Sequence, residues 1–178
     1  MSEVKILDIG CGRNKTKGAI GVDLNPDSDA DLIFDLAHFP YPFQDDTFDL
    51  IICKQILEHL PDLEKAFEEF SRILKPKGHI QAESPHFSCF YAYGDPTHKR
   101  AFSFLVPEHF EKRGRFKIIN RRITFHRSFR WWGFHLLANR FPVGYERFWT
   151  FICPAEHLYF ELEVNKNTQK AISRGERE

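Results

Sequence analysis

The stretch Ile6-Leu7-Asp8-Ile9-Gly10-Cys11-Gly12 decides the fold class. An apolar, strand-forming run leads straight into two glycines one residue apart. The chain must turn sharply there, with no Cβ to hold a ligand at a distance. That arrangement belongs at the carboxyl end of a strand in an open α/β sheet, where ligands bind. A lone G-x-G is weak, so its surroundings matter. The nicotinamide fingerprint requires a third glycine where this chain has Lys15, and a ribose-binding acid about 20 residues further on. Here the acid closing the second strand, Asp23, follows Gly12 by only 11 residues. A nicotinamide site is disfavoured on both counts.

Around that stretch, hydrophobic patterning predicts strands over 4–9, 19–23, 31–35, 48–53 and 79–84. Residues 54–60 read as a short helical turn stopped by Pro61. Asp62 then caps a helix with Leu63, Ala66, Phe67, Phe70, Ile73 and Leu74 on one face, ended by Lys75-Pro76-Lys77-Gly78. Strands alternating with helices imply a mostly parallel sheet with buried strands. Further on, 107–113 reads as a helix, 116–119 with 122–125 as a sixth strand or pair, 131–151 as an aromatic, partly helical segment, and 157–164 as a final strand. The tail from Asn165 is polar and reads as frayed.

At 178 residues, with 42% hydrophobic and 28% charged, the chain is sized and composed for one globular domain. No apolar stretch approaches the roughly 18–20 residues of a membrane span, and no signal-peptide pattern opens the sequence. Cys11, Cys53, Cys89 and Cys153 form no C-x-x-C pair. This suggests four reduced thiols and a cytoplasmic setting rather than a zinc site or disulfide framework.

The formal net charge of zero conceals a division. Residues 1–86 carry 9 Lys+Arg against 16 Asp+Glu, residues 87–178 carry 16 against 9, and 20 of the 27 aromatic residues fall in the second part. This favours an acidic, cofactor-binding half (1–86) joined to a substrate-facing half (87–178) with an aromatic and basic cap.

The motifs resemble those of class I S-adenosylmethionine-dependent methyltransferases of the type 11 kind. The first quoted stretch resembles that family's first motif, and Gly21-Val22-Asp23 its ribose-binding strand end. Phe34-Asp35-Leu36 resembles its adenine-binding segment. Phe48-Asp49-Leu50-Ile51, Leu57-Glu58-His59 and Leu74-Lys75-Pro76-Lys77-Gly78 follow in the family's order. The resemblance covers about residues 4–86. It implies a Rossmann-like, doubly wound, mostly parallel seven-stranded sheet with helices on both faces and the last strand antiparallel. It implies S-adenosyl-L-methionine as cofactor and S-adenosyl-L-homocysteine as product. Its cofactor residues would be Asp8, Gly10, Cys11, Gly12, Asp23, Leu24, Asp35, Leu36 and Lys54. Two departures stand out: the short interval from Gly12 to Asp23 leaves little room for a first helix, and Lys77 replaces a common glycine.

Methyl transfer from a sulfonium needs an aligned nucleophile and a base for any proton it carries. The loops after strands four and five offer His86 first, then His98, with His59 beside Glu58. Glu58, His59 and His98 also resemble part of an E-x-x-E-H…H metal arrangement, although Gln55 replaces its first glutamate. Residues 111–130 hold eight Lys+Arg against Glu111 alone. That stretch suits an anionic acceptor such as a glycan precursor, a lipid-linked sugar or RNA. Trp131, Trp132, Phe134, Phe141, Tyr145, Phe148 and Trp149 suit stacking, a hydrophobic cap or a peripheral membrane contact. The readings are a methyltransferase acting on a small or glycan-type acceptor, an RNA methyltransferase, and a cofactor-binding partner without catalysis.

Overall fold

Strand β1 (Ile6–Ile9) sits in the middle of a seven-stranded sheet and brings the glycine turn to its edge. The computed structural model describes residues 4–130 and 133–166, so Trp131, Trp132 and the tail beyond 166 lie outside the described residues. The strands are β1, β2 (Ala19–Asp23), β3 (Leu32–Ile33), β4 (Phe48–Lys54), β5 (Leu74–Pro85), β6 (Phe116–Ile123) and β7 (His157–Val164), in the order β3-β2-β1-β4-β5-β7-β6. Only β7 runs antiparallel, pairing with β5 on one side and β6 on the other. The sequence expectation of six parallel strands and one reversed final strand is met.

Boundaries differ in two informative places. β5 begins at Leu74, directly after helix α1 (Leu63–Ile73), so the Lys75–Gly78 segment belongs to the strand rather than to a turn. Its pairing with β4 slips between Phe48 and Leu50, and Lys77 takes a φ of 65° to absorb the irregularity. β6 is one strand, with its own register slip between Ile118 and Asn120.

Register puts Leu7, Ile51 and Ile80 side by side, with Ile9, Cys53 and Ala82 in the next row, all buried on one face. Helix α1 covers that face with Phe67, Phe70 and Ile73, capped at its start by Asp62, which accepts from Lys65 N at 3.0 Å. Helix α3 (Val106–Lys112) joins it: the Phe67 and Phe110 rings stack at 3.7 Å, 7° from parallel.

Cover of the opposite face is thinner than the resemblance implies. Residues 10–18 and 24–31, linking β1 to β2 and β2 to β3, contain no helix. They are too short for the dozen or so residues a helical crossover needs. Lys15 stands in for the missing helix by crossing over Gly21, where a Cβ would meet Lys15 Cδ at 2.6 Å. Its ammonium contacts both Asp31 oxygens at 2.8 Å. Further along that face the side chains are polar, and His79 lies 3.0 Å from Glu161 and 3.7 Å from Glu163.

After β5 come α2 (Tyr91–Gly94) and α3, and after β6 come α4 (Arg127–Arg130), α5 (Phe134–Arg140) and α6 (Pro142–Phe148). The Asn139 side chain of α5 accepts from Ile123 N and donates to Ile123 O, sealing the free edge of β6 as another strand would. The chain end is anchored as far as it is described: Asn165 N donates to Arg115 O, and Lys166 pairs with Asp46 at 2.8 Å.

Candidate active site

Gly10 and Gly12 form the turn above β1, with φ of +66° and +54°. Their constraints differ. A Cβ on Gly10 would stand 2.6 Å from Ile56 Cγ1, whereas one on Gly12 would meet nothing within 4 Å. The turn is thus packed from below at Gly10 and open above Gly12, a cradle that suits a cofactor.

Asp23, at the end of β2, closes this cradle. Its Oδ2 accepts from Gly12 N and its Oδ1 from Asn25 N, both at 2.8 Å. Each carboxylate oxygen retains acceptor capacity for a ribose hydroxyl. Leu24 beside it is 64% exposed and free to flank a ligand. Asp8 is buried and accepts from Thr16 N at 2.7 Å, while Lys54 Nζ reaches Thr16 Oγ1 at 3.3 Å. These two residues hold the far arm of the loop at Thr16. Asp35 accepts from Ala37 N at 2.9 Å and lies 3.2 Å from His38. Leu36 departs from its expected place against adenine: its side chain is in the core, and its carbonyl accepts from Tyr41 OH. Cys11 is buried, and burial together with Asp23 and Asp8 raises its thiol pKa to about 11.

A second cluster forms where the loop after β4 meets the segment after α2. Gln55 takes a φ of 53° and donates to Glu83 O, turning the chain so that Glu58 is carried inward. Arg100, which sequence patterning gave no reason to single out, clamps this loop. It donates to Leu57 O, Leu60 O and Pro61 O at 3.1, 2.6 and 3.1 Å. Lys99 N adds a bond to Glu58 O. Ligand atoms of Glu58, His59 and His98 thereby come within 4.8 Å of one another.

The hydrogen bonds assign the ring tautomers. Thr97 Oγ1 donates its one proton to Asp95 at 2.6 Å, so it accepts from His59 Nδ1–H at 2.9 Å. His98 Nδ1–H donates to the Ala92 carbonyl at 3.2 Å. Both imidazoles are left with an Nε2 lone pair. Glu58 is 1% exposed and neither of its oxygens makes a hydrogen bond. Burial pushes its carboxyl up, partly offset by the nearby Ser84 hydroxyl and the two histidines.

His86 is corrected from candidate base to packing residue. It is fully buried; Nδ1 lies 2.8 Å from Ser88 Oγ and Nε2 lies 3.0 Å from Glu146 Oε1. Both nitrogens are occupied, so neither is available to a substrate proton. The basic stretch is also less free than its composition suggests. Lys112 and Arg121 pair with Glu108, Arg113 with Glu64, and Arg115 with Glu68.

Residues 7–82 match the family model described as Methyltransferase domain. The Bacillus subtilis (strain 168) protein named Uncharacterized methyltransferase YcgJ is 36% identical over 72 residues, covering 35% of this chain and 28% of that protein. The Methanocaldococcus jannaschii protein named Uncharacterized protein MJ0638 is 36% identical over 88 residues, covering 42% of this chain and 38% of that one. The chain therefore spans well under half the length of the curated relatives it matches. The crystal structure of a SAM dependent methyltransferase from Archaeoglobus fulgidus superposes with a TM-score of 0.64 at 20% identity, covering 90% of this chain and 86% of the other. That likeness speaks for the fold. Motif order, strand order and the family match converge: residues 7–82 match a methyltransferase domain by sequence, and the sheet built around them has the fold of the S-adenosylmethionine-dependent methyltransferases.

Proposed function

We propose that the protein transfers a methyl group from S-adenosyl-L-methionine to a small-molecule or glycan-type acceptor in the cytoplasm, releasing S-adenosyl-L-homocysteine. The observation that carries this reading is the Asp23 carboxylate bonded to Gly12 N beneath open space. Gly10 and Gly12 would let the cofactor approach the backbone, Asp23 would accept from its ribose hydroxyls, Leu24 would flank it, and Asp35 would accept from the adenine amino group. Asp8 and Lys54 hold the loop that receives it. When bound, the cofactor supplies an electrophilic methyl group on a cationic sulfur.

The chain's own residues then have two tasks. They orient an acceptor oxygen or nitrogen in line with the methyl–sulfur bond, and they take up the proton it loses as the new bond forms. His59 suits the second task, being part-exposed with Nε2 bare and Nδ1–H held by Thr97, itself bonded to Asp95. That chain of hydrogen bonds stabilises the imidazolium as it forms. His98 and Glu58 flank it.

A second reading is favoured by the same cluster. Glu58, His59 and His98, each with a ligand atom within 4.8 Å of the others, also form a ligand set for a divalent cation. Activity that survives exhaustive chelation removes it. An RNA acceptor is supported less, since four of the eight cations in residues 111–130 are spent on ion pairs.

Transfer of labelled methyl groups from the cofactor into fractionated cell extract tests the assignment. Label in the small-molecule or glycan fraction is expected. Label confined to RNA overturns the acceptor class. Tight cofactor binding with no transfer to any fraction supports a non-catalytic partner instead.

A further inference from the structure

β6 runs parallel to β1, β4 and β5, so the chain leaves it on the same sheet edge as the glycine turn. Four strand spacings, about 19 Å, separate the two. The helical segment beyond β6 has a surface the core does not use. Ala138 and Tyr145 face inward, with Tyr145 packing on Phe125 and Phe134. Outward, Leu136, Leu137, Phe141, Val143, Phe148 and Trp149 are each more than half exposed, and Phe151 reaches 85%. Helices apolar on both sides require cover.

Helix α5 is the common wall of two cavities. One, of about 400 Å³, is lined by Leu137, Phe141, Phe148 and Trp149 with other apolar residues. The other, of about 740 Å³, is lined by His135, Leu136, Asn139 and Arg140 of α5 together with Arg121, Arg122 and Arg130. Arg121 is committed to Glu108, and Asn139 to Ile123. Among the described residues no carboxylate pairs with Arg122, Arg130 or Arg140. Within residues 126–152 the sequence has four arginines and one acid, Glu146, and that acid is turned inward to His86.

We propose that the outer face of α5 and α6 docks on an anionic phospholipid surface. Leu137, Phe141, Phe148 and Trp149 enter the headgroup–acyl boundary, and Arg122, Arg130 and Arg140 take the lipid phosphates. An apolar face bordered by unpaired guanidinium groups complements a layer that is apolar below and anionic above. Arg140 and Arg147 stack over Phe141 and Phe148, which keeps each cation beside the apolar side chain it accompanies. The inference does not depend on the methyl-transfer reading, and its test reads binding alone.

Flotation of the whole chain with vesicles of phosphatidylcholine, with or without one quarter phosphatidylglycerol, provides the measurement. Binding to the anionic vesicles alone is expected, weakening as salt rises. A blue shift in tryptophan emission should accompany it, since Trp149 stands half exposed on that face. Arg130→Gln with Arg140→Gln should lower vesicle affinity about 30-fold. Phe148→Ser with Trp149→Ser should lower it at least about 10-fold while leaving the unfolding transition in place. Equal binding to both vesicle types, or to neither, overturns the proposal. So does saturation of the arginine cavity by inorganic phosphate without vesicle binding, or a dimer in the absence of lipid that Trp149→Ser dissociates.

Discussion

His86 Nε2 stands 3.0 Å from Glu146 Oε1, fastening the end of β5 to helix α6 across 60 residues of sequence. The same carboxylate oxygen accepts from Phe104 N at 2.5 Å. This one acid therefore joins the sheet, the α2–α3 segment and the helical cap.

Replacing Glu146 by Ala should strand a buried imidazole and a backbone N–H. A loss of about 3–5 kcal/mol in unfolding free energy is expected, with cofactor affinity held within about 3-fold because the cradle lies two strand spacings from His86. Denaturant titration and calorimetry read the two quantities. Unchanged stability with abolished methyl transfer would return His86 to the chemistry.

Asp23→Ala removes the acceptor expected to meet the ribose and also frees Gly12 N and Asn25 N. Two charge-assisted bonds at about 1.5–3 kcal/mol each correspond to a loss of roughly 10²–10⁴ in affinity. Calorimetry with S-adenosyl-L-homocysteine measures it; retained affinity would sink the ribose assignment.

The two glycines should fail in different ways. Gly10→Ala drives a methyl group into Ile56 and should reduce stability by at least about 2 kcal/mol. Gly12→Ala meets no neighbour, so only the left-handed backbone strain of about 1–2 kcal/mol applies to folding. Its larger effect should fall on cofactor binding, where the methyl group occupies the open cradle. Equal defects in both assays for both variants would contradict this division.

Cys11 should be a slow nucleophile. With its pKa at about 11 rather than 9.0, the thiolate fraction at pH 8 is about 100-fold lower than for an ordinary thiol. Half-buried Cys153 serves as the internal control in a mass-spectrometric alkylation time course. The linkage has a definite sign. The folded chain keeps the Cys11 proton between pH 9 and 11 while the unfolded chain releases it. Stability is therefore intact below pH 9 and falls as the pH rises toward 11. Cys11→Ser should flatten that part of the wild-type profile.

Arg100 acts through the carbonyls it clamps. Arg100→Ala should lower kcat strongly, because Glu58, His59 and His98 lose their common frame, while cofactor affinity stays near wild type. Arg100→Lys should restore little, since one ammonium cannot reproduce a fork that spans three carbonyls. Equal loss of cofactor affinity and kcat would mean the whole fold had loosened instead.

Local pattern was enough to read much of this protein. The run from Ile6 to Gly12, the Asp23 strand end and the Asp62-capped α1 are written in short-range terms: hydrophobic period, glycine spacing and cap chemistry. Strand number and the reversed last strand came through the family resemblance. The short link from Gly12 to Asp23 also announced the missing helix, though not that Lys15 would lie across Gly21 in its place.

The roles of the histidines were decided by tertiary structure. His86, His59 and His98 are alike in sequence, each a histidine in a loop near a strand end. Glu146 turns the first into a packing contact, and Thr97, Ala92 and Arg100 hold the other two beside a buried carboxylate. The same holds for the basic stretch, half of which is neutralised by acids on α1 and α3. Patterning reports what a residue is and which face of its own element it occupies. Charge, tautomer and accessibility depend on partners brought within a few ångströms by folding, often from tens of residues away, and no local period encodes them.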